Sequence, residues 1–187
     1  GTPTEKNIAE AALLAGAEIT LLGFETSDEV YETFIAGGCD ITTTDGSALV
    51  GRKAKQQPAD QEWVIFPATP ISKEPLGPTY GQNDSAWADA VNWTVYAMII
   101  MDEYGITSAT VDSHVGDAGE VGRLLGGDGE LQTVMGLSAD AFYQVIKQVG
   151  SYGEVYDRNL NPVGLYREGS ANAGWLDGGL IYSPPAR

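Results

Sequence analysis

The sequence predicts an α/β fold in which a parallel or mixed sheet is flanked by helices. Short runs of β-branched and aromatic residues alternate with amphipathic segments of about a dozen residues. Capping residues and glycines mark the ends of these segments. The chain has 187 residues, 43% of them hydrophobic, which is enough for a sizeable core in one large domain or two small ones.

Helices and strands alternate over the first part of the chain. Apolar residues recur at helical spacing in three segments: 4–15, 26–37 and 45–54. Strand-forming residues are concentrated in three others: 18–24, 39–44 and 63–66. Strands that alternate with helices in this way are typical of βαβ units, so we expect a parallel sheet here.

The pattern changes after the third predicted strand, where Pro67, Pro70, Pro75 and Pro78 exclude a long helix. We place a domain boundary in this stretch, between residues 1–75 and residues 76–187. The second part is predicted to be mostly helical, with helices over 85–104 and 138–149, irregular structure over 107–129 and an extended last thirty residues. The helix over 85–104 is apolar around most of its circumference, so we expect it to be buried on more than one side.

The charge of the chain excludes two classes of partner. Ten Lys and Arg residues oppose 26 Asp and Glu residues, a net charge of -16, and such a surface repels phosphate backbones and anionic headgroups.

The longest apolar run, 95–101, is far shorter than the roughly 20 residues of a membrane-spanning helix. We therefore expect a water-soluble protein with no nucleic-acid partner, no membrane insertion and no signal peptide in this chain.

Short motifs give no support for a cofactor or a metal. The glycines around residues 126–129 lack the lysine of a nucleotide-binding loop, and Asp117, Asp128 and Glu130 do not have calcium-loop spacing. His114 has no second histidine or nearby cysteine to complete a zinc site or a catalytic triad. Cys39, the single cysteine, cannot form an intramolecular disulfide, and its presence fits either a cytosolic or an extracytoplasmic protein.

Two loops lie where a parallel sheet presents its ligands, at the end of a strand and the start of a helix. In residues 1–5, the hydroxyls of Thr2 and Thr4 and the free amides of a helix start suit a carboxylate. In residues 42–45, Asp45 could neutralise an ammonium group. Together the loops match the two charged groups of an α-amino acid. The alternative is that these threonines and Asp45 only cap two helices.

Seven motifs, in order along the chain, resemble one protein family. They are GTPTE (1–5), GCDITTTDGS (38–47), ISKEPLGP (71–78), WADAVNWT (87–94), YGITS (104–108), IKQVGSYGE (146–154) and GGLIYSPPAR (178–187). The chain resembles the family-3 solute-binding proteins of amino-acid ABC transporters, which have the type II periplasmic-binding-protein fold. It is most similar to the branch that serves general L-amino-acid uptake.

The resemblance implies a function and a site. It implies that the protein captures free L-amino acids outside the cytoplasmic membrane and delivers them to an ABC permease, without catalysis or a cofactor. Asp45 would hold the α-amino group, and the loop with Thr2 and Thr4 would help to hold the α-carboxylate. Pro3 departs from the family pattern, which has a threonine there, and proline offers neither a hydroxyl nor a backbone N–H.

The resemblance also assigns the two parts of the chain to the two lobes of the family fold. Residues 1–75 correspond to lobe two, and residues 76–187 would complete lobe one. Family members carry a preceding segment that supplies most of lobe one, including an arginine that pairs with the ligand carboxylate. We therefore expect a partial chain with weak or undetectable amino-acid affinity, whose Cys39 has lost a disulfide partner.

A chain of this kind would need cover for the apolar helix over 85–104. Self-association is the favoured solution, and the alternatives are a separate chain that carries the missing lobe or a rearranged C-terminal half.

Two other functions stay open. One is a dehydratase or lyase on the same fold, with Asp45 and Glu5 as its acid and base. The other is a stand-alone oligomerising interaction module.

Overall fold

The computed structural model describes residues 2–127 and 130–187. Gly1, of the first predicted loop, and Asp128 and Gly129, of the acidic glycine-rich segment, lie outside the described residues. The chain forms two compact units, of which the first ends at Leu76 and the second begins at Gly77.

The first unit contains the three predicted helices. They are α1 (Pro3–Ala15), α2 (Ser27–Ile35) and α3 (Gly46–Gln56). Gly16 ends α1 in the left-handed conformation, with a φ of 66°. Thr26 and Glu29 form a reciprocal capping box at the start of α2. Local capping signals therefore predict these helix ends within a few residues.

The predicted sheet is not confirmed. Residues 18–24, 39–44 and 63–66 form no β-strand, and within the described residues they make no ladder of backbone hydrogen bonds. The physical reason is that a strand needs a neighbouring strand to pair with its N–H and C=O groups, and strand-forming composition does not supply that neighbour. As a result, Ile19, Leu21, Leu22 and Phe24 remain exposed.

The second unit is helical. Its helices are α4 (Ser85–Glu103), α5 (Glu120–Leu124), α6 (Glu130–Val134), α7 (Ala141–Val149) and α8 (Tyr152–Leu160). α4 packs against α5, α7 and α8. The buried side chains at these contacts form one core, which includes Ala97, Ile100, Met101, Leu124, Phe142 and Ile146. Among the described residues, no helix combines the length and hydrophobicity needed to cross a bilayer.

Two expectations for the second unit need correction. The C-terminal half of α4 is buried, as predicted, but its cover comes from α5, α7 and α8 of its own unit, whereas Trp87 near its start is 56% exposed. The C-terminal half of the helix over 85–104 therefore needs no additional surface, and apolar surface remains uncovered near its start, at Trp87. The segments expected to be irregular or extended contain α5, the end of α8 and several short 3-10 turns.

Candidate functional site

The loop before α1 carries the two predicted carboxylate-binding threonines. Thr2 is exposed and extended, and its Oγ1 accepts a hydrogen bond from the Glu5 backbone N–H at 3.4 Å. Thr2 is thus the N-cap of α1, and Pro3 occupies the first helical position, where proline is favoured. Thr4 lies in the first turn of the helix and is half-buried.

Asp45 immediately precedes α3, but its side chain does not cap that helix. Its backbone carbonyl accepts a hydrogen bond from the Leu49 N–H at 2.9 Å, while its half-buried carboxylate makes no hydrogen bond or ion pair within the described residues. By contrast, the carboxylate of Asp84 caps α4 by accepting from the Trp87 N–H. The capping interpretation therefore fits Thr2 and does not fit Asp45, whose carboxylate has no partner among the described residues.

No hydrogen bond or ion pair among the described residues joins the two loops. Thr2, Thr4 and Asp45 also do not line the cavity described next, nor the surface groove between α1 and residues 71–72. The structure thus positions each predicted residue beside a helix start without bringing all three into one pocket. Their assignment as an amino-acid site stays a prediction.

Sequence reasoning did not predict a cavity of about 80 Å³ in the first unit. It is lined by α2, α3 and the segments 40–42 and 63–66, and its walls include Tyr31, Phe34, Thr42, Lys53 and Trp63. Tyr31 is only 3% exposed, and its hydroxyl and that of Thr42 are buried close to one another without a hydrogen bond of normal geometry among the described residues. No sequence motif marks this cavity, because it arises from elements that are distant in sequence.

The electrostatics of this cavity follow from burial. Burial raises the pKa of the Tyr31 phenol, and the Arg52 charge and the nearby Thr42 hydroxyl oppose that shift. The Arg52 guanidinium lies 5.0 Å from the centre of the Tyr31 ring and forms an ion pair with Asp28 at 2.7 Å. The Lys53 ammonium donates to the Trp63 carbonyl. Both cations beside the cavity therefore already have protein partners.

A second cluster, also not predicted, lies in the second unit and joins α4 to α8. The Arg167 guanidinium pairs with the Asp102 carboxylate at 2.5 Å and stacks on the rings of Tyr152 and Tyr156. The second oxygen of Asp102 accepts from the Gly153 N–H at 3.1 Å. Burial lowers the pKa of Arg167, but the bond to Asp102 and its charge outweigh burial and raise it overall. Every member of this cluster is paired, which is the pattern of a structural site.

Glu154 links two of the motifs on which the family resemblance depends. Its carboxylate accepts hydrogen bonds from the Ser108 N–H, the Ser108 hydroxyl and the Ser151 N–H at 2.7–2.8 Å. Burial acts to raise the pKa of Glu154, yet these hydrogen bonds outweigh burial and lower it. The sequence signal for this contact is the Ser151–Glu154 spacing of a capping box, which also explains why a helix begins at Tyr152.

The described residues contain no cluster of three or more His, Cys, Asp or Glu side chains that could hold a metal ion. His114 contacts Asp117 through Nδ1 at 2.8 Å on the surface. Cys39 is a half-buried free thiol.

Comparisons with known proteins give a consistent set of relatives, although no protein-family model matches the chain. The chain is 40% identical to the general L-amino acid-binding periplasmic protein AapJ of Rhizobium johnstonii, over 100% of this chain and 55% of that protein. It is 38% identical to the glutamate/glutamine/aspartate/asparagine-binding protein BztA of Rhodobacter capsulatus, over 100% of this chain and 56% of that protein. It is 36% identical to the putative amino-acid ABC transporter-binding protein YhdW of Escherichia coli K12, again over 100% and 55%.

A solved structure agrees with these relatives. An ABC transporter periplasmic binding protein from Brucella ovis, with glutathione bound, matches with a TM-score of 0.89 and 41% identity, over 100% of this chain and 59% of that one. All of these proteins are described as binding proteins, not as enzymes. The chain spans about half the length of the curated relatives it matches. Along its whole length, the chain is thus similar in sequence and in structure to amino-acid-binding periplasmic proteins of ABC transporters.

Proposed function

We propose that this chain is part of an extracytoplasmic solute-binding component that captures free L-amino acids and presents them to an ABC permease. The observation that supports this most is the 36–40% identity, along the whole chain, to three amino-acid-binding proteins. The role needs no catalytic group and no cofactor. By analogy with the relatives' names, the chain would act in the periplasm.

Within this function, Asp45 is the candidate partner of the ligand's ammonium group. Its carboxylate is half-buried, follows directly on the threonine-rich segment 42–44, and is not used by α3. A half-buried carboxylate that lacks an internal partner gains more from a bound cation than an exposed one, because the local dielectric is lower than that of water. Thr2 and Thr4 are the candidates for the carboxylate end, with Thr2 offering a hydroxyl whose cap bond to Glu5 is long.

The isolated chain should bind weakly. About half of the relatives' length has no counterpart among these 187 residues, so a ligand on the chain alone could make only part of the contacts available in a whole protein. Closure of two lobes around a ligand stabilises the bound state only when both lobes contact it. We expect dissociation constants in the millimolar range, which corresponds to about 4 kcal/mol of binding free energy.

Titration by two-dimensional NMR tests the site, because it detects millimolar binding. The panel would contain glutamate, glutamine, leucine and glutathione. The shifts should concentrate on residues 2–5 and 42–47, and Asp45→Asn should weaken binding at least about tenfold. Asp60→Asn is the matched control, since it removes the same charge from an exposed position in the same unit. Unchanged binding by Asp45→Asn would exclude Asp45 as the ammonium partner, and sub-micromolar binding would exclude the weak-binding proposal.

We also propose that the segments 18–24, 39–44 and 63–66 form the parallel sheet of the family fold when further backbone is available to pair with them. Their apolar side chains are exposed, with Val64 and Phe66 among them, and Leu13 and Leu14 on α1 are exposed as well. Exposed apolar surface of this kind favours association, so self-association is the expected solution state of the chain alone.

Light scattering measures the mass of the protein in solution. A dimer or larger species that dissociates in the Val64→Lys variant would support self-association through the first unit. A monomer at all concentrations would refute it. Val134→Lys is the matched control, because Val134 is similarly exposed in the second unit.

A further inference from the structure

Residues 183–187, here called the strap, lie against α5 in the second unit. Ala186 is only 3% exposed and belongs to the same core as Val121 and Leu124. Its backbone N–H donates to the Glu120 carboxylate, and its carbonyl accepts from the Arg123 guanidinium at 2.7 Å. Two charged side chains of one short helix thus hold both polar groups of a single buried residue.

Contacts of Glu103 hold the start of the strap and the segment that precedes it. The Glu103 carboxylate, at the end of α4, accepts from the Trp175 indole N–H at 3.0 Å. Burial raises the pKa of Glu103, and hydrogen bonds from Trp175 and from the Ser183 backbone oppose that shift. Pro184 and Pro185 fix φ and have no N–H groups to satisfy, so the strap loses little conformational freedom when it docks.

The strap has no regular secondary structure of its own, and only Ala186 in it is buried. Pro184, Pro185 and Arg187 are exposed. Release of the Ala186 methyl group, of its two charge-assisted hydrogen bonds and of the Ser183 backbone bond to Glu103 would therefore free the segment. Segments with so few buried contacts open locally without unfolding the rest of the protein.

We infer that the strap is a latch over the core of the second unit, which opens as one piece and uncovers apolar surface of α5 while α7 and α8 stay folded. The inference does not depend on the proposed transport function. It assigns Glu120 and Arg123 as the positioning residues of the latch, since each holds the Ala186 backbone and neither belongs to the candidate ligand site.

Amide hydrogen exchange on the full chain tests the latch. Ala186→Asp places a charge that the core cannot accept, so amide exchange at Arg123 and Leu125, whose N–H groups bond within or next to α5, should become at least tenfold faster. Exchange at Gly150, whose N–H bonds to Ile146, should change less than twofold. Leu180→Asp is the matched control, because Leu180 is 73% exposed in the same C-terminal region.

A second, milder variant guards against general unfolding by Ala186→Asp. Arg123→Met keeps the apolar stem and removes the guanidinium that donates to the Ala186 carbonyl, so it should speed exchange at Leu125 by a smaller factor, of about three. The latch is supported if both variants act on α5 and spare α7. It is overturned if exchange at α5 does not change, or if α5 and α7 accelerate together in both variants.

Discussion

Gly153 is a position in the second unit at which one added methyl group should disturb an ion pair between distant parts of the chain. It lies in the first turn of α8, and its N–H donates to Asp102. A Cβ placed there would overlap Asp102 Oδ1 and Arg167 Nη1 and would lie 3.1 Å from Asp102 Cγ. Both overlapped groups are side chains that can move. Both side chains also form the ion pair that joins α4 to the Arg167 segment, so we expect their displacement to disrupt that pair.

The cost follows from that pair. The side chains of Arg167 and Asp102 are 16% and 23% exposed, so the pair is largely desolvated. Disrupting a buried pair costs about 3–5 kcal/mol, and partial exposure places this one near the lower value. Alanine is better than glycine in a helix by up to about 1 kcal/mol. Gly153→Ala should therefore lower the free energy of unfolding by about 2 kcal/mol, which corresponds to a fall in Tm of about 5 °C for a chain of this length.

Urea unfolding followed by far-UV circular dichroism measures the change. Gly51→Ala is the control, because Gly51 lies inside α3 with nothing within 4 Å of its added Cβ, and it should leave stability unchanged or raise it. In an Asp102→Ala background the pair is already lost, so Gly153→Ala should cost less than about 0.5 kcal/mol. A wild-type midpoint for Gly153→Ala, or an undiminished cost in the Asp102→Ala background, would refute the reasoning.

Two further variants probe buried hydrogen bonds in the second unit. Glu154 has a folded-state pKa below its ordinary value of 4.5, so it stabilises the fold above that pH and loses this effect as the pH falls through the folded-state pKa. Glu154→Gln should lower the free energy of unfolding by about 2 kcal/mol at pH 7 and should reduce the loss of stability at acid pH, as measured by urea titrations at several pH values. Glu168→Gln, at an exposed site, is the control and should have neither effect. Gln132 is fully buried, and its side-chain amide N lies within hydrogen-bond distance of the carbonyls of Arg123, Leu124 and Ala139. Gln132→Leu should therefore lower the free energy of unfolding by about 2 kcal/mol. The exposed Gln148→Leu is its control and should cause no loss.

Helix positions were predictable wherever the signal is local. The caps at Thr26 and Asp84 and the glycine at 16 lie within a few residues of the hydrogen bonds they make. α8 shows the limit of reasoning from hydrophobic spacing alone, since it carries few apolar residues and is marked instead by the Ser151–Glu154 capping box. Capping residues and periodicity are independent signals, and a short helix can depend on the first alone.

The candidate site shows why spacing does not distinguish a cap from a ligand contact. Thr2 and Asp45 occupy the same position relative to their helices, and both residue types are favoured caps. Only the three-dimensional structure distinguishes the two roles. Thr2 Oγ1 accepts a hydrogen bond from the Glu5 N–H, whereas the Asp45 carboxylate makes no capping hydrogen bond to α3. The same holds for the Asp102–Arg167 pair, whose partners are 65 residues apart.

The predicted sheet shows that local strand preference alone is not sufficient to form a β-strand. Residues 18–24 have the composition of a strand, but each N–H and C=O of a parallel strand is satisfied by residues far away in sequence. The helices of the first unit satisfy their own backbone and form without such partners. This unit therefore keeps its helices, while its strand-forming segments have no strand partner in the part of the chain that the structure describes. Among the described residues, backbone that lacks a strand partner lies next to exposed Leu22 and Val64, and these two features together favour strand addition. For this reason, association of this chain should begin at the first unit and not at α4, whose apolar half is already covered.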